Sequence, residues 1–308
     1  MTTAVITHED CLTHVTPEGH PEQVARLVHV LAALDGLDMQ RAAAPLAQEA
    51  DLRRVHPQSH IDHVRQSEPD EGHAPLDADT WMSPGSFNAA LRGAGGAVLG
   101  VDMVLTDAAR NAFSACRPPG HHAETARTMG FCLFGNIAIA AKHALNHHGL
   151  SRVAVVDFDV HHGNGTQDLL QNDDRVLFCS SHQYPLWPGT GAADETGPHG
   201  TVRHVPLTPG TDGPGFRRAI EDKVLPAVDA FAPELLLVSA GFDAHRADPL
   251  AGLMLEVEDF SWITHRLCDL ADAHCGGRLV SCLEGGYDLR SLAQSAAAHV
   301  AALIERGR

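Results

Sequence analysis

The sequence predicts an α/β fold in which a mainly parallel central sheet is covered by helices on both faces. Two observations carry this. Short apolar runs rich in β-branched residues recur at 153–160 (VAVVDFDV), 176–181 (VLFCSS), 235–242 (LLLVSAGF) and 278–283 (RLVSCL), each too short for a buried helix and bounded by Gly or polar residues. Amphipathic helical patterns lie between them, and continuous apolar strands alternating with such helices mark a parallel sheet buried on both sides. A third observation concerns chemistry. Each apolar run ends in polar, ligand-type residues, and open parallel sheets bind ligands beyond the carboxyl ends of their strands.

Taken along the chain, helices are expected near 22–35, 85–108, 136–148, 257–275 and 289–306, with a further strand at 111–116. Phe216, Ile220, Val224, Val228 and Phe231 recur at steps of four, four, four and three, which places them on one helix face. Pro226 is expected to kink that helix. The stretches 66–85 and 182–215 are rich in Gly, Pro, Asp, Ser or Thr and longer than plain connections require, so they are expected to be functional or mobile loops. No internal repeat, low-complexity linker or long charge run divides the chain, so residues 1–308 are expected to form one catalytic domain.

Composition excludes several classes of function. Lys and Arg total 22 against 39 Asp and Glu, a formal charge of −17, which repels phosphate backbones and favours neutral or cationic partners. No nucleic-acid or membrane partner is therefore expected, and no segment reaches the roughly 20 apolar residues of a spanning helix. The seven cysteines form no CxxC pair, so neither a disulfide framework nor a thiolate zinc site is expected. With no signal-peptide pattern at the start, a reducing cytoplasm is the expected compartment. Homo-oligomers are compatible with the sequence, which carries no heptad pattern. Histidine, at 22 residues, raises the expectation of metal or proton-transfer chemistry.

The strand ends locate that chemistry. After 153–156 come Asp157, Asp159 and His161, which alternate onto one side of an extended backbone. Asp243 follows the run at 235–238, Glu284 to Asp288 follow 279–283, and RPPGHH at 117–122 follows 111–116. A lone Asp at a strand end is most often a cap or turn former. Four strand ends that each deliver metal-ligand or acid/base side chains are a different matter. Two carboxylates and an imidazole suit a divalent metal, and three protein ligands leave positions open for water and substrate.

In these motifs the sequence resembles the zinc-dependent histone deacetylases and their bacterial relatives, which include acetylpolyamine amidohydrolases. The resemblance runs from His20-Pro21-Glu22 with Arg26 to Tyr287 and rests on RPPGHH at 117–122, GFC at 130–132, DFDVHHGNGT at 157–166, PGTG at 188–191, SAGFDAHRADPL at 239–250 and LEGGY at 283–287. Asn164 and the GFDA and ADPL segments are similar to the class II branch. The resemblance implies an arginase-like three-layer α/β fold. It implies Asp159, His161 and Asp243 as zinc ligands, a set that also tolerates Fe2+. His121 and His122 would be the acid/base pair, backed by Asp157 and Asn164, and Tyr287 would bind the substrate carbonyl. Gly130, Phe131, Trp187, Leu250 and Gly285 would contact substrate, Phe131 and Trp187 as walls of a narrow tunnel. A structural K+ would take the side chains of Asp157 and Ser180 with carbonyls of Asp159, His161 and Ser181. Arg26 would line a cavity behind the metal.

The implied reaction is removal of acetyl or another short acyl group from lysine side chains by metal-activated water. Zinc lowers the pKa of bound water from about 15.7 toward about 7 and polarises the carbonyl. With Asn164 as a neutral partner, His122 is expected to act as the base, while Asp157 favours a charged His121 with an electrostatic role. Some positions depart from the family pattern: Val24 replaces a proline, and Leu186-Trp187 replaces the more common Phe or Tyr before PGTG. Leu250 stands where polyamine-selective relatives carry a carboxylate, which favours acyl-lysine proteins or peptides over acetylated polyamines or other small amides.

Two readings of other classes compete. A binuclear arginase-type ureohydrolase would need further Asp and His ligands, against which Asn164 and the Tyr287 loop argue. A catalytically silent binding module would lack a ligand or the tyrosine, and neither is missing. His8, His14, His56, His60, His143 and His182 are expected in surface or supporting positions, His182 nearest the site, and His147-His148 is expected to be a pair without a partner.

Overall fold

The computed structural model describes residues 2–307. Eight parallel strands form one sheet in the order β2-β1-β5-β10-β9-β6-β7-β8. These are β1 (Thr3–Thr7), β2 (Gln40–Ala43), β5 (Asn111–Ser114), β6 (Val153–Asp157), β7 (Val176–Gln183), β8 (Val202–Leu207), β9 (Leu235–Ala240) and β10 (Leu279–Leu283). A short antiparallel hairpin, β3 (Ala74–Pro75) with β4 (Trp81–Met82), stands apart from the sheet. The helices are α1 (Val24–Ala33), α2 (Glu49–Leu52), α3 (Gln58–Gln66), α4 (Ser86–Leu105), α5 (Asn136–Asn146), α6 (Asn164–Leu170), α7 (Gly213–Ala219), α8 (Leu225–Phe231), α9 (Val257–His274) and α10 (Leu289–Gly307). α1, α9 and α10 pack together as one outer layer, α4 and α5 as the other. The expected sheet buried on both faces is what forms. In β5, β6, β9 and β10 every residue is buried, as a two-sided sheet demands.

The strand order explains why distant segments meet. β5 and β6 follow one another among the sheet strands of the chain yet lie apart in the sheet, with β10 and β9 filling the gap. In the register, Asp157 pairs with Ser239, Ser239 with Cys282, and Cys282 with Ser114, so the carboxyl ends of these four central strands line up. The polar segments that follow them leave the sheet on the same edge. That is why β6 stops at Asp157 and β9 at Ala240, two to three residues before the ends of their apolar runs.

Three expectations change. β1 and β2 lie in a part of the sequence where no strand was expected. The stretch 182–215 is not one loop, because it completes β7 and contains β8, where Pro206 is tolerated on an edge strand. The helix bearing Phe216 to Phe231 divides into α7, a π-helical turn over Ile220–Val224, and α8. Three successive four-residue steps need about four residues per turn, more than the 3.6 of an α-helix, and the wider π turn supplies the difference. Phe216, Ile220, Val224 and Val228 are thereby all buried, and the widened turn gives way to α8 where Pro226 cannot donate.

Candidate active site

The four strand ends deliver their side chains to one place. Asp159, His161 and Asp243 each present a ligand atom, all within 4.8 Å of one another. His161 Nδ1 lies 3.3 Å from Asp159 Oδ1 and 3.1 Å from Asp243 Oδ2. All three are buried. Burial together with repulsion from Asp159 pushes the Asp243 carboxyl up to about 7. Burial opposes charge on His161, but its bonds to Asp159 and Asp243 outweigh that and hold its pKa up at about 10. Two adjacent buried carboxylates that draw a proton onto the one imidazole between them form a site short of positive charge. A divalent cation fits that deficit and would displace the proton.

The two histidines after β5 are held from behind by different partners. His121 Nδ1 donates to Asp157 Oδ2 at 3.0 Å, and its Nε2 lies 3.7 Å from Asp159 Oδ2. Burial works against charge on His121, yet Asp159 and Asp157 hold its pKa well above the ordinary value. His122 Nδ1 donates to Asn164 Oδ1 at 2.7 Å. The Asn164 amide cannot be turned around, because its nitrogen donates to Glu124 Oε1 at 2.8 Å. The proton of His122 is therefore fixed on Nδ1 and the lone pair on Nε2. Burial and the neighbouring His121 and His161 keep His122 well below its usual pKa.

A cleft of about 350 Å³ reaches this centre, and its lining includes His122, Gly130, Phe131, His161, Trp187, Leu250 and Tyr287. The two expected loops build much of the wall: Ala78, Asp79 and Trp81 come from 66–85, Leu186 and Trp187 from 182–215. His161 and His122 sit at the buried end, whereas Trp187 is 42% and Leu250 36% exposed at the mouth. The Trp187 ring meets His122 edge-on at 4.7 Å, and Phe131 meets Tyr287 at 5.7 Å. Gly130 and Phe131 both have positive φ. A Cβ on Gly130 would stand 2.5 Å from the His122 ring and 2.6 Å from Trp187, so only glycine lets the wall close over the histidine. Burial, reinforced by Asp243 and Asp159, keeps the Tyr287 phenol well above 10 and hence protonated.

Gly285 does not line the cleft. Its N–H donates to Asp159 Oδ2 at 2.8 Å, and a side chain there would collide with the Asp243 carboxylate. Arg26 serves as a clamp: its Nε donates to the Gly286 carbonyl at 2.6 Å, and its guanidinium lies 4.9 Å from the Tyr287 ring. It pairs with Glu22, which also receives Arg117 Nη2 at 2.6 Å, and all three residues are fully buried. Ser180 faces Asp157 across β6 and β7, and its hydroxyl is 2.9 Å from His182 Nδ1. His182 thus turns away from the cleft toward His162 and His204. His14, His56, His60 and His143 are buried, which leaves the supporting of the two expected positions. The partner of His148 is Asp102, at 2.7 Å.

Several supporting residues carried no sequence signal beyond their type. Glu284 accepts the N–H groups of Gly120 and His121 at 2.7 and 3.1 Å and so shapes the histidine loop. Asp248 accepts the Tyr287 N–H at 2.7 Å, and Thr80 Oγ1 receives that of Phe131 at 3.1 Å. Glu284 and Asp248 lay within quoted motifs, but Glu124 and Thr80 could be found only once the loops were folded.

Comparison with known proteins agrees with this geometry. Residues 20–303 match the histone deacetylase domain. A histone deacetylase-like amidohydrolase from Pseudomonas aeruginosa is 42% identical over 87% of this chain and 73% of that protein. A probable deacetylase from Archaeoglobus fulgidus is 38% identical over 94% of this chain and 82% of its own length. The crystal structure of the HDA15 HD domain superposes with a TM-score of 0.94 at 36% identity, covering 99% of this chain and 89% of that one. With eight parallel strands of arginase-like order and an Asp, His, Asp cluster beneath a histidine pair, the chain belongs to the histone deacetylase family and is a hydrolytic deacetylase.

Proposed function

We propose that residues 1–308 act as one catalytic domain that removes acetyl, or another short acyl group, from lysine side chains of proteins or peptides in a zinc-dependent hydrolysis. The observation that carries this reading is the cleft itself, with buried His122 and His161 and part-buried Tyr287 at its inner end and aromatic rings at its mouth. That shape suits an extended chain entering amide-first. Asp159, His161 and Asp243 would hold the ion, zinc or Fe2+. When bound, the ion supplies a water of lowered pKa and polarises the acyl carbonyl.

The remaining work falls to the protein's own groups. His122 Nε2, neutral and held by Asn164, takes the water proton and returns it to the departing amine. His121, charged against Asp157, stabilises negative charge without moving a proton. The Tyr287 hydroxyl donates to the carbonyl oxygen as it gains charge, a contact commonly contributing about 2.7–4 kcal/mol. Phe131 and Trp187 exclude water along the acyl-lysine stem, and Gly130 lies beside the amide. Asp157 and Ser180, with carbonyls of Asp159, His161 and Ser181, would hold a structural K+. Seven buried, unpaired thiols suit a reducing compartment, and the cytoplasm is the proposed one. Among the described residues no helix is long and apolar enough to cross a membrane.

Asp79 supports a second reading. Leu250 offers nothing to a distant ammonium group, but Asp79 puts a carboxylate in the same cleft, so acetylated polyamines or other small amides are the alternative substrate class. Hydrolysis of an acetyl-lysine peptide beside N-acetylputrescine, with bound zinc quantified and Tyr287→Phe and Asp243→Ala as controls, separates the two. Faster peptide turnover, lost in both variants, is the expected result. Preference for the polyamine, abolished by Asp79→Asn, would transfer the assignment to the alternative.

A further inference from the structure

Where α4 packs on the end of α5, Asp102, His143, His147 and His148 come together. One ligand atom from each lies within 4.8 Å of the others. We infer that these four side chains form a second, structural site for a divalent ion of the zinc type, separate from the catalytic centre.

Four features point there. First, His147, which caps α5, lies four residues after His143, and its helical backbone stacks the two rings at a centroid distance of 4.7 Å. His148, the next residue, turns in from beyond the helix end. Second, a single oxygen, Asp102 Oδ1, lies 2.7 Å from both His143 Nε2 and His148 Nε2. Two imidazoles converging on one carboxylate oxygen are already arranged around a common point. At ligand bonds of about 2.1 Å a tetrahedral set has edges of about 3.4 Å, so side-chain rotation that opens the two 2.7 Å pairs and closes the wider ones suffices.

Third, His143 carries an unpaired ring nitrogen. With its proton on Nε2, Nδ1 is buried without a partner, yet it faces Asp51 Oδ1 of α2 at 3.9 Å. Coordination through Nε2 would move that proton to Nδ1 and give it the Asp51 carboxylate. A ligand imidazole whose other nitrogen donates to a carboxylate is the usual arrangement at zinc sites. Fourth, a cleft of about 360 Å³, lined by Asp102, His143 and His147 together with Asp51, gives the ion a way in.

Four protein ligands would close the coordination shell, which is the structural rather than the catalytic pattern. His143, the cluster residue nearest that end, lies seven residues along α5 from Asn136, about 10 Å of helix, and α5 itself begins beyond the loop that holds Gly130 and Phe131. The two ions therefore cannot form one binuclear centre. Bound here, the ion would tie α4 to the end of α5 and, through Asp51, to α2.

The test is zinc stoichiometry by equilibrium dialysis, with thermal unfolding followed in parallel, on the full chain and on a His147→Ala/His148→Ala variant. Both substituted residues lie at the helix end, outside the catalytic cleft. We expect two equivalents of zinc in the parent and one in the variant. The second equivalent should raise Tm by several degrees in the parent alone, and deacetylation by the variant should be unchanged. One equivalent in the parent and none in the variant would leave this site standing and remove the catalytic zinc instead. Equal stoichiometry in the two proteins would overturn the inference. A His147→Gln/His148→Gln variant serves if the alanine pair does not fold, and is read by the same comparison.

Discussion

Asn164 Oδ1 sits 2.7 Å behind His122 Nδ1, at the position where the adjacent His121 has the carboxylate of Asp157 at 3.0 Å. Two neighbouring imidazoles, with ring centroids 3.9 Å apart, thus take opposite protonation states: Asp159 and Asp157 hold His121 charged, while burial beside His121 and His161, with only a neutral amide behind it, keeps His122 neutral.

Replacing Asn164 by aspartate should erase that difference. A carboxylate at hydrogen-bond distance raises a histidine pKa by about 1–3 units, and the base is active only when neutral. The acid limb of the kcat/KM profile should therefore move to higher pH by about that amount. An unmoved limb would show that His122 is not the group that must lose its proton.

Tyr287→Phe removes one donor and little else, because the ring still packs on Phe131 and Arg26. The expected outcome is a fall in kcat of about 10²–10³-fold with KM for an acetyl-lysine peptide nearly constant. A rise in KM at constant kcat would assign the hydroxyl to substrate binding alone.

Glu22→Gln leaves the buried guanidinium groups of Arg26 and Arg117 without their shared counter-charge. The unfolding free energy should drop by about 3–5 kcal/mol, read from the denaturant midpoint. Breaking the exposed Arg41–Asp35 pair, at 2.9 Å the same length as Arg26–Glu22, should cost less than about 1 kcal/mol. Because Arg26 grips the Gly286 carbonyl, some loss of kcat should accompany the stability loss only in the first case.

Buried histidines set an acid limit on stability. Burial holds His14 at about 4, and His56 and His299 at about 3. In the unfolded chain they titrate near 6.5. Stability is therefore full above about pH 6.5 and declines as pH falls toward the folded values, since only the unfolded chain takes up the protons. Each histidine contributes a slope of about 1.4 kcal/mol per pH unit in that window. His299→Gln, which can still reach Thr264 and Ser281, should flatten the urea-stability curve by one such slope between about pH 6 and 4. An unchanged slope would mean that His299 is charged in the folded protein.

The core strands and the ligand-bearing strand ends were readable because both are local: a run of Val and Leu marks the strand, and the residue after it marks the site. Asp159, His161, Asp243, His121 and His122 were found in this way. Elements whose stability comes from their neighbours were not. β8 is interrupted by Arg203, His204 and Pro206 and becomes a strand only because β7 offers it an edge. Gly285 reads as a substrate contact beside Tyr287, but its placement depends on how closely β10 approaches the Asp159 and Asp243 carboxylates. Glu124 and Asp248 act on loops contributed by other parts of the chain, which no spacing rule reaches. Asp102 lies 41 residues before His143, and only the packing of α4 on α5 joins them.

The strand order also has a consequence during synthesis. β5 and β6 leave the ribosome with a two-strand slot between them, and that slot stays empty until residues 235–283 have been made. A nascent chain that has reached β8 exposes two apolar strand edges at the centre of its sheet, one of β5 and one of β6, where pairing with another molecule is easiest. The last strand to arrive, β10, closes the gap and brings Tyr287 to the ligand cluster, so protein arrested before β10 is inactive and aggregation-prone together. Folding dominated by such long-range pairings is slow, and the protein's yield in a cell should depend on chaperones that shelter the gap.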